Sequence, residues 1–156
     1  MIDGEQVAFD QSEAKNVGRD LLNSKAAIKL RLGGYSMYPN LLPEDIATIE
    51  YIEPTSLKLG QVLVVEIENR WIAHRLVGMR TLNGKSFLKT QGDSVIKADG
   101  LLNPTDLIGI VNQIERNGLR IVLSRVVSQV YLILCPLPQL ISRIVLKFRR
   151  RLKKLP

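Results

Sequence analysis

Residues 62–77 read VLVVEIENRWIAHRLV. Val62–Ile67 and Trp71–Val77 are apolar, β-branched runs, and Glu68-Asn69 between them is a turn signal, so the stretch reads as two strands. In the second strand, alternation puts Ile72, His74 and Leu76 on one face and Trp71, Ala73 and Arg75 on the other. His74 is the chain's only histidine. It therefore shares its face with two aliphatics and points toward a core.

Working outward, Ile46–Ile52, Phe87–Thr90 and Leu107–Ile114 repeat the strand pattern, and residues 26–33 (AAIKLRLG) alternate apolar and basic. Glu53-Pro54-Thr55 and Asn103-Pro104 punctuate these runs. Asn83-Gly84 is a hairpin signal joining Val77–Leu82 to Ser86–Thr90, and residues 115–119 (ERNGL) turn the chain into Arg120–Leu123. Upstream, residues 11–24 carry Val17, Leu21 and Leu22 at helical spacing behind Asp10 or Ser12 as a cap. Many short strands at this spacing predict a mainly β barrel or sandwich with a short N-terminal helix. The segments are 1–25 (helical), 26–120 (β domain) and 121–156 (tail).

The chain has 156 residues, 46% of them hydrophobic and 24% charged, enough to bury one ordinary core. A single cysteine, Cys135, excludes an internal disulfide. With one histidine beside it, a four-ligand Cys/His zinc site within one chain is excluded too. Residues 1–24 mix acids and bases and hold no apolar run of the kind a secretory signal or an N-terminal span needs. The net charge of +7 is uneven: residues 1–115 carry 12 Lys/Arg against 15 Asp/Glu, whereas residues 116–156 carry 10 Lys/Arg and no acid. From about 121 onward the chain is aliphatic and then basic, ending FRRRLKKLP. Pro136 and Pro138 break its apolar stretch, which falls short of the roughly 20 residues of a clean span. Two helical halves bent near Cys135–Pro138 and lying at an anionic membrane surface are expected, as against capping a soluble core or forming a dimer contact. Nucleic acid is disfavoured, because Phe148 is the only aromatic near Arg149, Arg150, Arg151, Lys153 and Lys154.

Three segments hold residues that could carry chemistry. Ser36 lies in the loop GYSMYPNLLPED, directly after a strand; it is a turn serine unless a base removes its proton. His74 is either a core histidine satisfied by a carbonyl or a partly desolvated general base, a task suited to a side chain that titrates near neutrality. Asp93 and Asp99, in QGDSVIKADG, are turn residues unless one of them fixes the imidazole.

The order of these segments resembles that of the signal peptidase I family. GYSMYPNLLPED is similar to its Ser-Met-x-Pro box, and Gly60–Val64 to its Gly-Asp-Val-Val strand start. His74-Arg75 falls where the endoplasmic-reticulum branch has His-Arg and bacterial enzymes have Lys-Arg. Gln91-Gly92-Asp93 with Asp99 resembles the Lys-Gly-Asp … Asp box, and Leu107–Val111 the closing Ile-Ile-Gly-x-Val strand. The resemblance spans about Leu30 to Glu115. It implies a strand-rich, barrel-like peptidase core and hydrolysis of a polypeptide through an acyl-enzyme, with no cofactor or metal. Ser36 would be the nucleophile, His74 the base, Asp99 the acid orienting it and Asp93 a structural aspartate. Arg75 would help to build the site, and the Ser36 N–H would be one oxyanion donor.

The chain departs from the pattern at Gly34, where that branch usually has a serine hydroxyl, at Tyr35, which replaces Gly or Asp, and at Gln61, which replaces Asp. These departures motivate an alternative: a weak or inactive module of the same fold that binds extended peptide by strand addition, tethered to membrane by its tail. Related self-cleaving repressors carry a DNA-reading domain ahead of a similar peptidase, but the 35 residues before Ser36 are too few for one. Peripheral or hairpin anchoring at the cytoplasmic membrane is the expected location, with the side left open.

Overall fold

The computed structural model describes residues 11–123 of the chain. Helix α1 (Gln11–Asn23) precedes β1 (Ile28–Arg31), β2 (Ile46–Glu50), β3 (Val62–Ile67), β4 (Arg70–Leu82), β5 (Lys85–Gln91), β6 (Leu101–Leu102), β7 (Leu107–Arg116) and β8 (Leu119–Val122). The strands form one antiparallel sheet in the order β1-β2-β7-β3-β4-β5-β6, with β8 paired to β7, curled into a half-barrel. The described residues are thus mainly β with one short helix.

The run VLVV in β3 is apolar at every position because both faces of this strand are covered. Val62 and Val64 enter a core shared with Ala47, Ile49, Val111 and Ile114, which Leu22 of α1 closes. Leu63 and Val65 enter a second core with Leu76, Leu88, Leu102 and Ile110. The Glu68-Asn69, Asn83-Gly84 and Asn117-Gly118 turns take positive φ at both residues, the geometry that matches the strands' right-handed twist.

Two differences from the sequence reading have local causes. The runs at Trp71–Val77 and Val77–Leu82 form one strand, β4, whose ladder with β5 is bulged between Leu76 and Gly78. The two-residue β6 was not foreseen; it is too short to carry a periodicity and exists through its pairing with β5, Leu88 opposite Leu102. β8 extends past the boundary drawn at residue 120. The helical tail expected beyond it, with its membrane contact, lies from residue 124 onward outside the described residues. No helix among the described residues is long and apolar enough to cross a membrane.

The loop carrying Ser36 is fastened at its far end by Asp45, which is 2% exposed. Asp45 accepts from the Leu42 N–H at 2.8 Å and from Arg116 through Nε at 2.8 Å and a terminal nitrogen at 2.7 Å. Arg116 also donates to the Asn40 carbonyl at 3.0 Å, so one guanidinium of β7 grips the loop twice. Burial works against charge on Asp45. The Arg116 and Leu42 hydrogen bonds, with the Arg116 charge, outweigh it and hold the carboxyl below the usual carboxylate range. The stabilisation is therefore present above that range and is lost as pH falls through the folded-state value. Asp45→Asn is expected to lower unfolding stability by about 2 kcal/mol at pH 7, with the gap to the parent narrowing below pH about 4. Urea unfolding at pH 7 and pH 3 checks this; equal stabilities at pH 7 would contradict it.

Candidate active site

Two loops and one strand meet at the site. Ser36 lies on the loop between β1 and β2, in tight turns closed by Tyr38 N–H to Tyr35 O at 3.1 Å and Leu41 N–H to Met37 O at 3.0 Å. The loop after β5 is stapled across it. The Ser94 N–H donates to Ser36 O at 2.8 Å, and the Ser94 hydroxyl reaches Tyr35 O at 2.7 Å. Asn40 donates to Asp93 Oδ2 at 2.7 Å.

His74 comes from β4, opposite Leu63 of β3 and on the face of Leu76, as alternation required. It is 7% exposed. Its Nδ1 lies 2.6 Å from Asp99 Oδ2, and the Thr90 hydroxyl donates to the same oxygen at 2.6 Å. The Asp99 N–H donates to Thr90 O at 2.8 Å, so backbone and side chain of Thr90 together fix the carboxylate. A carboxylate only accepts, so Nδ1 donates to Asp99 and Nε2 is the ring nitrogen that faces away from it. That Nε2 is buried and has no hydrogen-bond partner among the described residues.

Gly92 sets the distance between Ser36 and His74. A Cβ on Gly92 would sit 2.7 Å from Ser36 O, 3.0 Å from Ser36 Cβ and 3.1 Å from His74 Nε2. Backbone without a side chain is the only thing that fits there. Ser36 Cβ and His74 Nε2 are therefore no further apart than the sum of the last two distances.

Beneath this point lies a buried ion pair. Arg75 is 4% and Asp93 2% exposed. The guanidinium engages both carboxylate oxygens at 2.7 Å each and spends a third donor on Gly60 O at 2.7 Å. Burial of two charges is tolerable only with such complete pairing.

On the other side of Ser36 opens a cavity of about 190 Å³, walled mainly by Gly33, Gly34, Met37, Ile49, Val64 and Trp71. Gly34 has φ +76°, in the left-handed region, and a Cβ there would meet nothing within 4 Å. The backbone, not crowding, accounts for glycine at this position: a serine would be strained by about 1–2 kcal/mol. Among the described residues, no three His, Cys, Asp or Glu side chains converge as metal ligands would.

Of the residues singled out from the sequence, Ser36, His74 and Asp99 are brought to one place. Asp93 sits beside them, held by Arg75 and Asn40. Sequence reasoning missed Thr90, Gly92, Ser94 and Asn40 as site-building residues. Only Gly92 gave a signal, as the glycine of the Gln91-Gly92-Asp93 box.

Burial raises the Asp99 carboxyl, but hydrogen bonds from His74 and Thr90, with the His74 charge, outweigh it and leave the group below its ordinary range. What Asp99 contributes to stability is thus present above the ordinary carboxylate range and lost as pH falls through the folded value. Thr90→Val, near-isosteric at a fully buried position, is expected to move the Asp99 titration to higher pH, read from side-chain carboxyl ¹³C shifts. An unmoved titration would contradict the assigned bond.

No family model, curated protein or solved structure matched this chain.

Proposed function

We propose that the chain is a serine endopeptidase resembling type I signal peptidase, acting through a Ser36–His74–Asp99 relay. The observation that carries this reading is the close pass of Gly92 between Ser36 and the bare, buried Nε2 of a histidine whose Nδ1 is held by a carboxylate. A core histidine with no task would be expected to satisfy both nitrogens.

In this reading Ser36 Oγ attacks a peptide carbonyl while its proton passes to His74 Nε2, and Asp99 stabilises the imidazolium that forms. The carbonyl oxygen, now negative, accepts from the Ser36 N–H, which is not taken up by the backbone turn bonds among the described residues. Collapse of the tetrahedral intermediate breaks the C–N bond, and the amine leaves with the proton from Nε2. Water then repeats the sequence on the acyl-enzyme and releases the acid.

The substrate's path is suggested by free strand edges. Among the described residues, β1 pairs only with β2, and β4 has no partner on its outer side before Arg75, where the ladder with β5 begins. Both edges border the cavity, through Leu30–Gly34 and Trp71–Ala73. An extended polypeptide can add to such edges by main-chain hydrogen bonds.

A second reading, a peptide-binding module without turnover, is favoured by Gly34, since no side-chain hydroxyl is available there to assist the oxyanion. A fluorophosphonate probe separates the two. An adduct on Ser36, identified by mass spectrometry, is expected. Ser36→Ala and His74→Gln should each lower labelling and peptide cleavage by about 10³-fold or more, and Asp99→Asn by about 10²-fold or more, without loss of folding. Labelling that ignores His74→Gln, or an unreactive Ser36 in a chain that still binds peptide, would overturn catalysis.

The basic end of the sequence supports attachment to an anionic membrane surface, because 10 Lys/Arg stand over residues 116–156 with no acid between them. The full chain is expected to float with vesicles rich in anionic lipid and not with neutral ones, and replacing Arg149, Arg150 and Arg151 together by Gln should weaken this. Equal flotation with both lipids would contradict an electrostatic anchor, and preference for an oligonucleotide at the same salt would favour nucleic acid.

A further inference from the structure

We propose that the outer face of the β4–β5 hairpin is a docking surface for anionic lipid, on which Arg80, Lys85 and Lys89 meet headgroup phosphates while Leu82, Phe87 and Leu101 enter the acyl boundary. The inference deepens the membrane reading of basic residues 116–156 and rests on it for the choice of lipid; it does not depend on the catalytic reading. Its own argument comes from register, exposure and charge.

The hairpin runs clear of the sheet. Among the described residues, β3 pairs with β4 only from Arg70 to Arg75, and β6 pairs with β5 only at Leu88 and Lys89. Beyond those points the ribbon has two strands, and Met79 to Ser86 are exposed without a break. A two-stranded ribbon is marginal by itself in water. This one nonetheless carries apolar side chains into solvent: Leu82 is 46% exposed, and Leu101 on the neighbouring β6 is 43% exposed. The register sorts the side chains between two faces. Leu88 stands opposite Met79 and Leu102 and enters the second core. Arg80 opposite Phe87, Leu82 opposite Lys85, and Lys89 opposite Gly78 and Leu101 therefore share the other face. A Cβ on Gly78 would lie 3.7 Å from Lys89 Cβ, in keeping with that side.

This face has one sign of charge. Residues 69–92 carry five Lys/Arg and no acid, although residues 1–115 as a whole hold 15 Asp/Glu against 12 Lys/Arg. Arg75 is committed to Asp93, but among the described residues Arg80, Lys85 and Lys89 form no ion pair. Cations interleaved with aliphatics fit a surface that offers phosphates at one depth and hydrocarbon just below it. Long basic side chains lie along apolar surface and keep their heads in the headgroup layer, where each adds to the attraction of an anionic leaflet. Nucleic acid fits less well, because Phe87 is the one aromatic among these positions and offers a single platform for a base.

The test uses the full chain with its single cysteine removed (Cys135→Ser) and an environment-sensitive fluorophore on Leu82→Cys. The same fluorophore on Lys29→Cys, in β1 at the far end of the sheet order, is the control. Vesicles are phosphatidylcholine alone or with about a quarter phosphatidylserine. With anionic vesicles the label at position 82 is expected to shift to the blue while the label at position 29 stays unmoved; neutral vesicles should move neither. Replacing Arg80, Lys85 and Lys89 together by Gln should weaken the affinity read at position 82 by at least about tenfold. The charge-keeping set Arg80→Lys, Lys85→Arg and Lys89→Arg should bind as the parent does, so a folding defect does not decide the outcome. A label at position 82 that ignores anionic vesicles or answers neutral ones equally, equal shifts at positions 82 and 29, or an unchanged affinity in the Gln set would overturn the proposal. A larger response at position 82 to an oligonucleotide in the same salt would overturn it in favour of nucleic acid. Replacing Arg149, Arg150 and Arg151 by Gln separates the two contacts. Flotation that depends on those three while the label at position 82 is silent sinks the hairpin contact alone. A shift at position 82 with flotation indifferent to those three sinks the tail anchor alone.

Discussion

Two opposite charges taken out of water together hold the working end of this molecule in shape. Arg75 and Asp93 are both nearly inaccessible, and neither would tolerate that burial without the other. Their pairing obliges the loop after β5 to lie against β4, and Asn40 on the same carboxylate draws in the loop after β1. Once those loops are seated, Ser94 reaches the backbone of Tyr35 and Ser36, and Gly92 is left between the serine and the imidazole. The arrangement of Ser36, His74 and Asp99 is a consequence of this seating; the turn sequences alone do not dictate it. A guanidinium suits the task because its planar fork meets both carboxylate oxygens and still has a donor for Gly60 O, which an ammonium could not match in the same geometry.

The sheet contributes by being covered on both faces. β4 sends His74 to the face of Leu76 and Ala73 to the other, so the histidine lies in the row between Ile72 and Leu76, with Nδ1 on Asp99 and Nε2 close to Gly92. Among the described residues, β1 and the first half of β4 each have one edge without a strand partner, and both line the same cavity. These edges, the cavity and the proposed relay therefore adjoin at Ser36.

Much of this could be read from residues alone, for stated reasons. The side of β4 on which His74 lies follows from a period of two, which the β3 ladder preserves without a bulge. The hairpin at Asn83-Gly84 was legible because few sequences adopt positive φ twice in succession. That Ser36, His74 and Asp99 belong together was an expectation drawn from a family resemblance and not from periodicity. Other features could not be read. Thr90 serves Asp99 through a loop path that has no periodicity, and the contact of Gly18 with Trp71 depends on the angle at which a helix docks on a sheet. Trp71–Val77 and Val77–Leu82 read as two runs, yet β4 is continuous through both, and a bulge between Leu76 and Gly78 absorbs the irregularity.

The central claim is that one imidazole links a hydroxyl and a carboxylate, and the chain's single histidine allows this to be observed directly. A peptide boronate that adds to Ser36 Oγ would place a negative, tetrahedral group against Nε2 while Asp99 keeps Nδ1. Ring ¹⁵N and ¹H spectra of His74 should then show both nitrogens protonated and both protons held in hydrogen bonds, with the change lost in Ser36→Ala. His74 signals that stay unmoved at saturating boronate would contradict the relay.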